Sequence, residues 1–139
     1  AIHDKQIGTV MDLYSTILEA TGAKNPEDHV LDGVSLIKQF SGKENPARPD
    51  HFMCHFPHSH RSSNFTAFRK GDWKLIYRYK GKTKHELYDL QNDPYEKTNL
   101  AKSEPEKLKD MTKAMIARLE KEDALYPVEG EMELKPQLP

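Results

Sequence analysis

The stretch Ala67–Leu100, AFRKGDWKLIYRYKGKTKHELYDLQNDPYEKTNL, decides the fold, because it holds two adjoining hairpin signals and the only tryptophan of the 139 residues. Trp73, Leu75, Tyr77 and Tyr79 alternate with Asp72, Lys74 and Arg78, the period of two that gives a strand one buried and one wet face. Ile76 alone breaks the polar side. Lys70-Gly71 supplies a tight turn from a preceding run, Phe65–Arg69, and Gly81 sits in a polar loop leading to Glu86-Leu87-Tyr88-Asp89-Leu90. Asn92-Asp93-Pro94 closes the last strand, since Pro94 has no N–H for a ladder and Asp93 can bond its own downstream backbone. Three antiparallel strands are expected here.

Working outward, His51–Phe56 reads as a fourth strand. Alternation sends Phe52, Cys54 and Phe56 one way and His51, Met53 and His55 the other. The side with two phenylalanines is expected to face the core, which makes Cys54 a packed residue rather than a nucleophile. Ser41–Asp50, with Gly42, Pro46 and Pro49, is the strongest linker signal. Ahead of it, Val10, Leu13, Tyr14, Ile17 and Leu18 recur at helical spacing, with Thr9 or Asp12 available as N-cap and Gly22 as the left-handed stop. On the C-terminal side, Ser103-Glu104-Pro105-Glu106 reads as a capping box with proline in the first turn. Leu108, Met111, Met115, Ile116 and Leu119 then form the stripe of a helix, expected to lie across the strand face that carries Trp73 and to bury it. Leu125–Pro139 has three prolines and no period, so it is an extended tail that either wraps over the domain or stays disordered. The fold class that follows is α+β, a small four-stranded antiparallel sheet packed by a C-terminal helix.

At 139 residues the chain can form one ordinary domain, or a small domain with an appendage. Hydrophobic residues make up 36% and charged residues 31%, and the formal net charge of −1 gives no electrostatic case for nucleic acid. An anionic substrate would have to be held by local charge. One cysteine excludes an internal disulfide. No run is apolar enough to span a membrane, and no charged-then-apolar leader is present. The chain opens on Ala1 without a methionine, which fits a processed product or a fragment.

The run Arg69-Lys70-Gly71-Asp72-Trp73-Lys74-Leu75-Ile76, followed by Glu86-Leu87-Tyr88-Asp89-Leu90, Asn92-Asp93-Pro94, Glu96 and Asn99-Leu100-Ala101, resembles the C-terminal subdomain of sulfatases of the alkaline-phosphatase-like superfamily. The likeness extends upstream to Asp12-Leu13-Tyr14-Ser15-Thr16-Ile17-Leu18 and Leu31-Asp32-Gly33-Val34-Ser35-Leu36, with Ser15 where that family usually has proline. It covers about residues 5–120. The resemblance implies that residues 1–45 end the large sulfatase domain, 46–124 form the C-terminal subdomain and 125–139 are the tail. The rest of a much longer sulfatase chain would then be the principal partner, and a sulfated small molecule or glycan the ligand. It also implies a periplasmic or secreted location. Cut off from the large domain, the apolar stripe of the first helix would be left uncovered, so the helix must fold back on the small domain, pair with a second copy or fray, with pairing the expected outcome at high concentration.

Four of the seven histidines fall within residues 51–60, with Arg61 adjoining. Imidazoles can ligate metal, and imidazoles with a guanidinium can bind an anion such as a sulfate ester. A zinc site is disfavoured, because alternation turns Cys54 away from His55 and neither C-x2-C nor H-x3-H spacing is present. The resemblance implies a substrate-bordering role for His55 and His58 in the run His55-Phe56-Pro57-His58, with His60 and Arg61 as further candidates. No catalytic residue and no metal ligand are assigned. The family's formylglycine arises in a Cys/Ser-x-Pro/Ala-x-Arg motif that Cys54-His55-Phe56-Pro57-His58 does not fit, and its calcium is held by an aspartate cluster, whereas Asp12, Asp32, Asp72 and Asp89 are scattered. Calcium and formylglycine are thus implied for the parent enzyme and not for this chain, which by itself should hydrolyse nothing. The alternative is a stand-alone binding module using the His-rich loop as its contact surface.

Overall fold

A computed structural model describes residues 6–58 and 64–139, and the chain divides into two units, Ala1–Asp50 and His51–Pro139. The division falls after Asp50 because Asn45 and Arg48 are buried within the first unit.

In the first unit, helix α1 spans Asp12–Thr21 and stops at Gly22, whose φ of 69° is the left-handed conformation that glycine adopts without penalty. Neither Thr9 nor Asp12 caps it: Met11 holds the N-cap position with no side-chain bond, and Asp12, one residue inside, turns its carboxylate back to the Thr9 amide at 2.6 Å. The helix buries its polar side. Asp12, Ser15 and Thr16 are buried, while Val10, Leu13, Tyr14 and Ile17 are exposed. Ser15 Oγ donates to the Gly33 carbonyl at 2.7 Å, and Thr16 Oγ1 accepts from the Leu36 amide at 2.9 Å. Helix and loop approach so closely that a Cβ on Gly33 would lie 2.2 Å from the Met11 carbonyl oxygen. A short helix, α2 (Ile37–Phe40), follows.

Arg48 closes this unit. Its guanidinium donates to the Val34 carbonyl at 2.5 Å, the Ile7 carbonyl at 2.5 Å and Asp12 Oδ2 at 2.7 Å, with both charged side chains about 95% or more buried. Burial alone would raise the Asp12 carboxyl. Hydrogen bonds from Arg48, Thr9 and Val34 outweigh that and hold it below its ordinary value.

The second unit is the expected four-stranded antiparallel meander: β1 (His51–Phe56), β2 (Phe65–Lys70), β3 (Trp73–Arg78) and β4 (His85–Asp89), in the spatial order β1-β2-β3-β4. Lys70 pairs with Trp73 across a two-residue turn in which Gly71 takes a φ of 56°. Asp89 accepts the Gln91 amide and Asp93 the Thr98 amide, so the turn after β4 is held by its own carboxylates.

Helix α3 (Pro105–Lys121) packs Leu108, Met111, Met115 and Leu119 onto Phe68, Leu75, Tyr77, Tyr79 and Leu87. Burying those four helix side chains is worth roughly 6–12 kcal/mol as an upper bound. The capping box does not form. Glu104 takes the N-cap position without a side-chain bond, and Ser103 Oγ instead donates to the Leu100 carbonyl at 3.2 Å. With Pro105 in the first turn, the helix begins one residue too late for Ser103 to reach it. Trp73 faces α3 but is only half-buried at the margin of the core, with the Lys107 ammonium 5.2 Å from its ring centroid.

The face of β1 is the reverse of the expectation. Register pairs Met53 with Phe68 and His55 with Thr66, so these share the α3 side. Phe52, Cys54 and Phe56 lie on the other face, and Cys54 is exposed. Met53 packs against the core in place of the phenylalanines. On that outer face Phe56 stacks on Phe65 with centroids 5.9 Å apart, so the phenylalanines find each other rather than the core.

The tail wraps. Val128–Glu129 (β5) and Met132–Glu133 (β6) form a two-stranded ribbon around Gly130, whose φ is 64°, and Tyr126 and Leu134 pack against the core.

Candidate functional site

The histidine-bearing segment is positioned by the end of β1. Pro57 interrupts the ladder, and Asn64 Nδ2 donates to the Pro57 carbonyl at 2.5 Å, pinning together the two ends of the loop that joins β1 to β2. Asn64 is almost fully buried, so this bond is made away from water. His58 is exposed beyond it, set edge-on to Phe56 with centroids 6.0 Å apart and planes at 89°. Its imidazole can donate a hydrogen bond when neutral and adds charge attraction when protonated. His60 and Arg61 lie outside the described residues.

His55 sits differently. Its Nε2 lies 2.6 Å from the Leu125 carbonyl and its Nδ1 2.8 Å from Thr66 Oγ1, which is in turn 2.8 Å from the Tyr79 hydroxyl. A carbonyl can only accept, so Nε2 carries the proton and Nδ1 of the neutral ring accepts from Thr66. Thr66 Oγ1 then accepts a hydrogen bond from the Tyr79 hydroxyl. Burial pushes the Tyr79 phenol up to about 12, which keeps it a donor. Both ring nitrogens of His55 are therefore used inside the fold, one on the sheet and one on the tail.

Opposite His58 stands the tail. Pro57, His58 and Asn64 on one side and Tyr126, Pro127 and Glu133 on the other line a hollow of about 440 Å³. Tyr126 and Glu133 escaped the sequence reading; Gly130, as the turn of a short ribbon, was the signal that could have found them. Burial, and after it Glu120 and Glu133, pushes the Tyr126 phenol up, while the Lys135 ammonium stands 5.6 Å from its ring centroid and 3.5 Å from Glu133. Among the described residues no three His, Cys, Asp or Glu side chains converge to hold a metal ion. The described residues do not fit a calcium site.

A small antiparallel meander covered by one C-terminal helix, with a polar loop leaving its edge strand, defines a subdomain class rather than a complete catalytic unit. Residues 2–124 match the N-sulphoglucosamine sulphohydrolase C-terminal family, and the chain belongs to that family of sulfatase C-terminal domains. It is 31% identical over 122 residues to arylsulfatase K of Xenopus laevis, covering 80% of this chain and 22% of the relative. To an uncharacterized sulfatase of Schizosaccharomyces pombe it is 34% identical over 116 residues, covering 74% and 19%. The chain thus spans about a fifth of these relatives. The fold also matches a protein solved in complex with its substrate D-glucosamine-2-N,6-O-disulfate, with a TM-score of 0.62, 24% identity, and coverage of 81% of this chain and 24% of that one. Among the described residues no helix is long and apolar enough to cross a membrane.

Proposed function

We propose that this chain is the C-terminal part of an enzyme that hydrolyses sulfate esters, in which it completes the fold and borders the substrate cleft. The observation that carries the reading is the family match over residues 2–124. Formylglycine and calcium would supply the nucleophile and the charge stabilisation from parts of the protein outside these residues. In this reading residues 1–45 end the large domain, 46–124 are the C-terminal subdomain, and the exposed stripe of α1 is covered by the remainder of the longer chain. In the 139-residue chain alone that stripe pairs with a second copy, which sedimentation would register as a dimer at high concentration. The same reading places the protein in the periplasm or outside the cell.

At the cleft, His58 is the direct contact to the sulfated ligand, with His60 and Arg61 beside it in sequence. His55 lies behind it as a positioning residue, holding Thr66 and the tail. The test is made on the full-length protein with a chromogenic aryl sulfate and sulfated hexosamines. Wild type should release sulfate, and His58→Ala should lower kcat/KM roughly 5- to 150-fold, the equivalent of ~1–3 kcal/mol, at unchanged Tm. His55→Ala should lower Tm together with activity. No turnover of any sulfate ester by the full-length protein, or full activity in His58→Ala, refutes the reading.

A further inference from the structure

Helix α3 and the hairpin around Gly71 leave a furrow between them, at the other end of β1 from the His58 loop. Strand β1 runs from His51 to Phe56, so about 17 Å of backbone separates its two ends. Two hollows make up the furrow, one of about 280 Å³ near the C-terminal end of α3 and one of about 410 Å³ beside the turn from β2 to β3, and they meet at Lys70 and Ala114. On α3, Lys107, Ala114, Ala117 and Lys121 follow one another at helical spacing along one face, with the two small residues between the two lysines. At the rise of an α-helix those lysines stand about 21 Å apart along the axis.

The two hollows differ in chemistry. His51, Lys70, Arg118 and Lys121 line the smaller one over a floor of Phe68 and Ala117, and among the described residues its lining includes no carboxylate. Glu122 reaches Arg118 at 2.9 Å, but both side chains are over a third exposed, and a pair of that kind is weak and screened. Cations in the last turn of α3 complement the helix dipole, which accounts for Arg118 and Lys121 but not for Lys70, contributed by β2. In the larger hollow the charges balance: Lys70 and Lys107 are matched by Asp72 and Asp110, around the half-buried Trp73. The furrow is thus basic along one stretch and mixed, with an aromatic ring, along the next.

A furrow of this length takes a chain rather than a single ring. A nucleic-acid strand carries a charge at every phosphate and would bring some of them against Asp72 and Asp110. A glycan that is sulfated at intervals meets both stretches: a sulfate among Lys70, Arg118 and Lys121, and hydroxyls donating to the two aspartates beside Trp73. We infer that this furrow is an accessory binding site for a partly sulfated polysaccharide. It shares no residue with the proposed cleft and goes beyond that reading.

The experiment uses the full-length protein, with dextran sulfate, neutral dextran and poly-L-glutamate as probes. Binding is measured by calorimetry at about 0.15 M salt, where a screening length of about 8 Å mutes scattered surface charge. Wild type is compared with Lys70→Glu/Lys121→Glu, and with Lys82→Glu/Lys97→Glu, which makes the same change of charge at two exposed lysines outside the furrow. Dextran sulfate should bind the wild type and lose at least tenfold in affinity for the furrow variant, against less than twofold for the other. Turnover of a small aryl sulfate should stay within twofold in both. Equal losses in the two variants, dextran sulfate bound no better than neutral dextran, or poly-L-glutamate bound as tightly as dextran sulfate overturns the inference, and turnover intact alongside leaves the sulfatase reading standing. Furrow-dependent binding of dextran sulfate without turnover in the wild type or either variant does the reverse.

Discussion

The Asp12–Arg48 pair gives the sharpest test of how the first unit is held. Asp12 accepts hydrogen bonds from the Thr9 amide, the Val34 amide and Arg48, and Arg48 has two further carbonyl partners. Asp12→Ala leaves a guanidinium that is 3% exposed without its counter-charge, a defect that costs about 3–5 kcal/mol. At 1.36 kcal/mol per factor of ten, that corresponds to roughly 2 to 4 orders of magnitude in the opening equilibrium. Native-state hydrogen exchange reads it directly, at the Leu36 and Phe40 amides, because neither is bonded to Asp12 itself. Both should exchange faster by that factor, and Asp12→Ala combined with Arg48→Met should recover much of the loss, since it leaves no buried charge unpaired. Exchange at Leu36 and Phe40 that is unchanged in Asp12→Ala would refute the reasoning. The pH dependence has a defined sign. A carboxyl depressed in the fold stabilises above its unfolded value and loses that contribution as the pH falls through the folded one, so the unit should loosen only below about pH 3.8.

Gly33→Ala should destabilise the same unit, because its new methyl would lie 2.2 Å from a backbone oxygen that cannot swing aside; retained Leu36 protection would contradict this. Thr66→Val removes the link between Tyr79 and His55 at a fully buried position and should cost ~1–3 kcal/mol in denaturant unfolding, with the tail amides losing protection first. Cys54 in the native 139-residue chain should react with a thiol reagent without denaturant; reaction only after unfolding would return it to the core.

The elements that local pattern specifies were legible. The hairpins around Gly71 and the loop before β4, and the α3 stripe, follow from residues within a few positions of one another. What the sequence hid depends on distant partners. Period two could sort β1 into two faces, but only the pairing of Met53 with Phe68 decides which one meets the core. The α1 stripe was visible as apolar spacing, whereas its buried polar side is fixed by Gly33 and by Arg48, 36 positions from Asp12. The candidate site was half legible. Composition marked out the histidine cluster of residues 51–60 and the family resemblance singled out His55 and His58 within it, but the bond from His55 to Leu125 spans 70 positions, and the wall containing Glu133 carries no local motif beyond Gly130.

The meander order of the sheet has a consequence for how the second unit comes into being. Each strand pairs with the next in sequence, so every loop to be closed is short and the chain can assemble in the order in which it is synthesised. The bonds from the tail to the sheet, Leu125 to His55 and Gln137 to Tyr77, break that rule. The carbonyl that occupies His55 Nε2 belongs to Leu125, so the imidazole on the first strand must wait, facing water, until nearly the whole chain has emerged. Maturation of this unit is therefore signalled at its earliest strand by its latest residues, and a chain stopped short of Leu125 would fold its sheet while leaving that first strand unsealed.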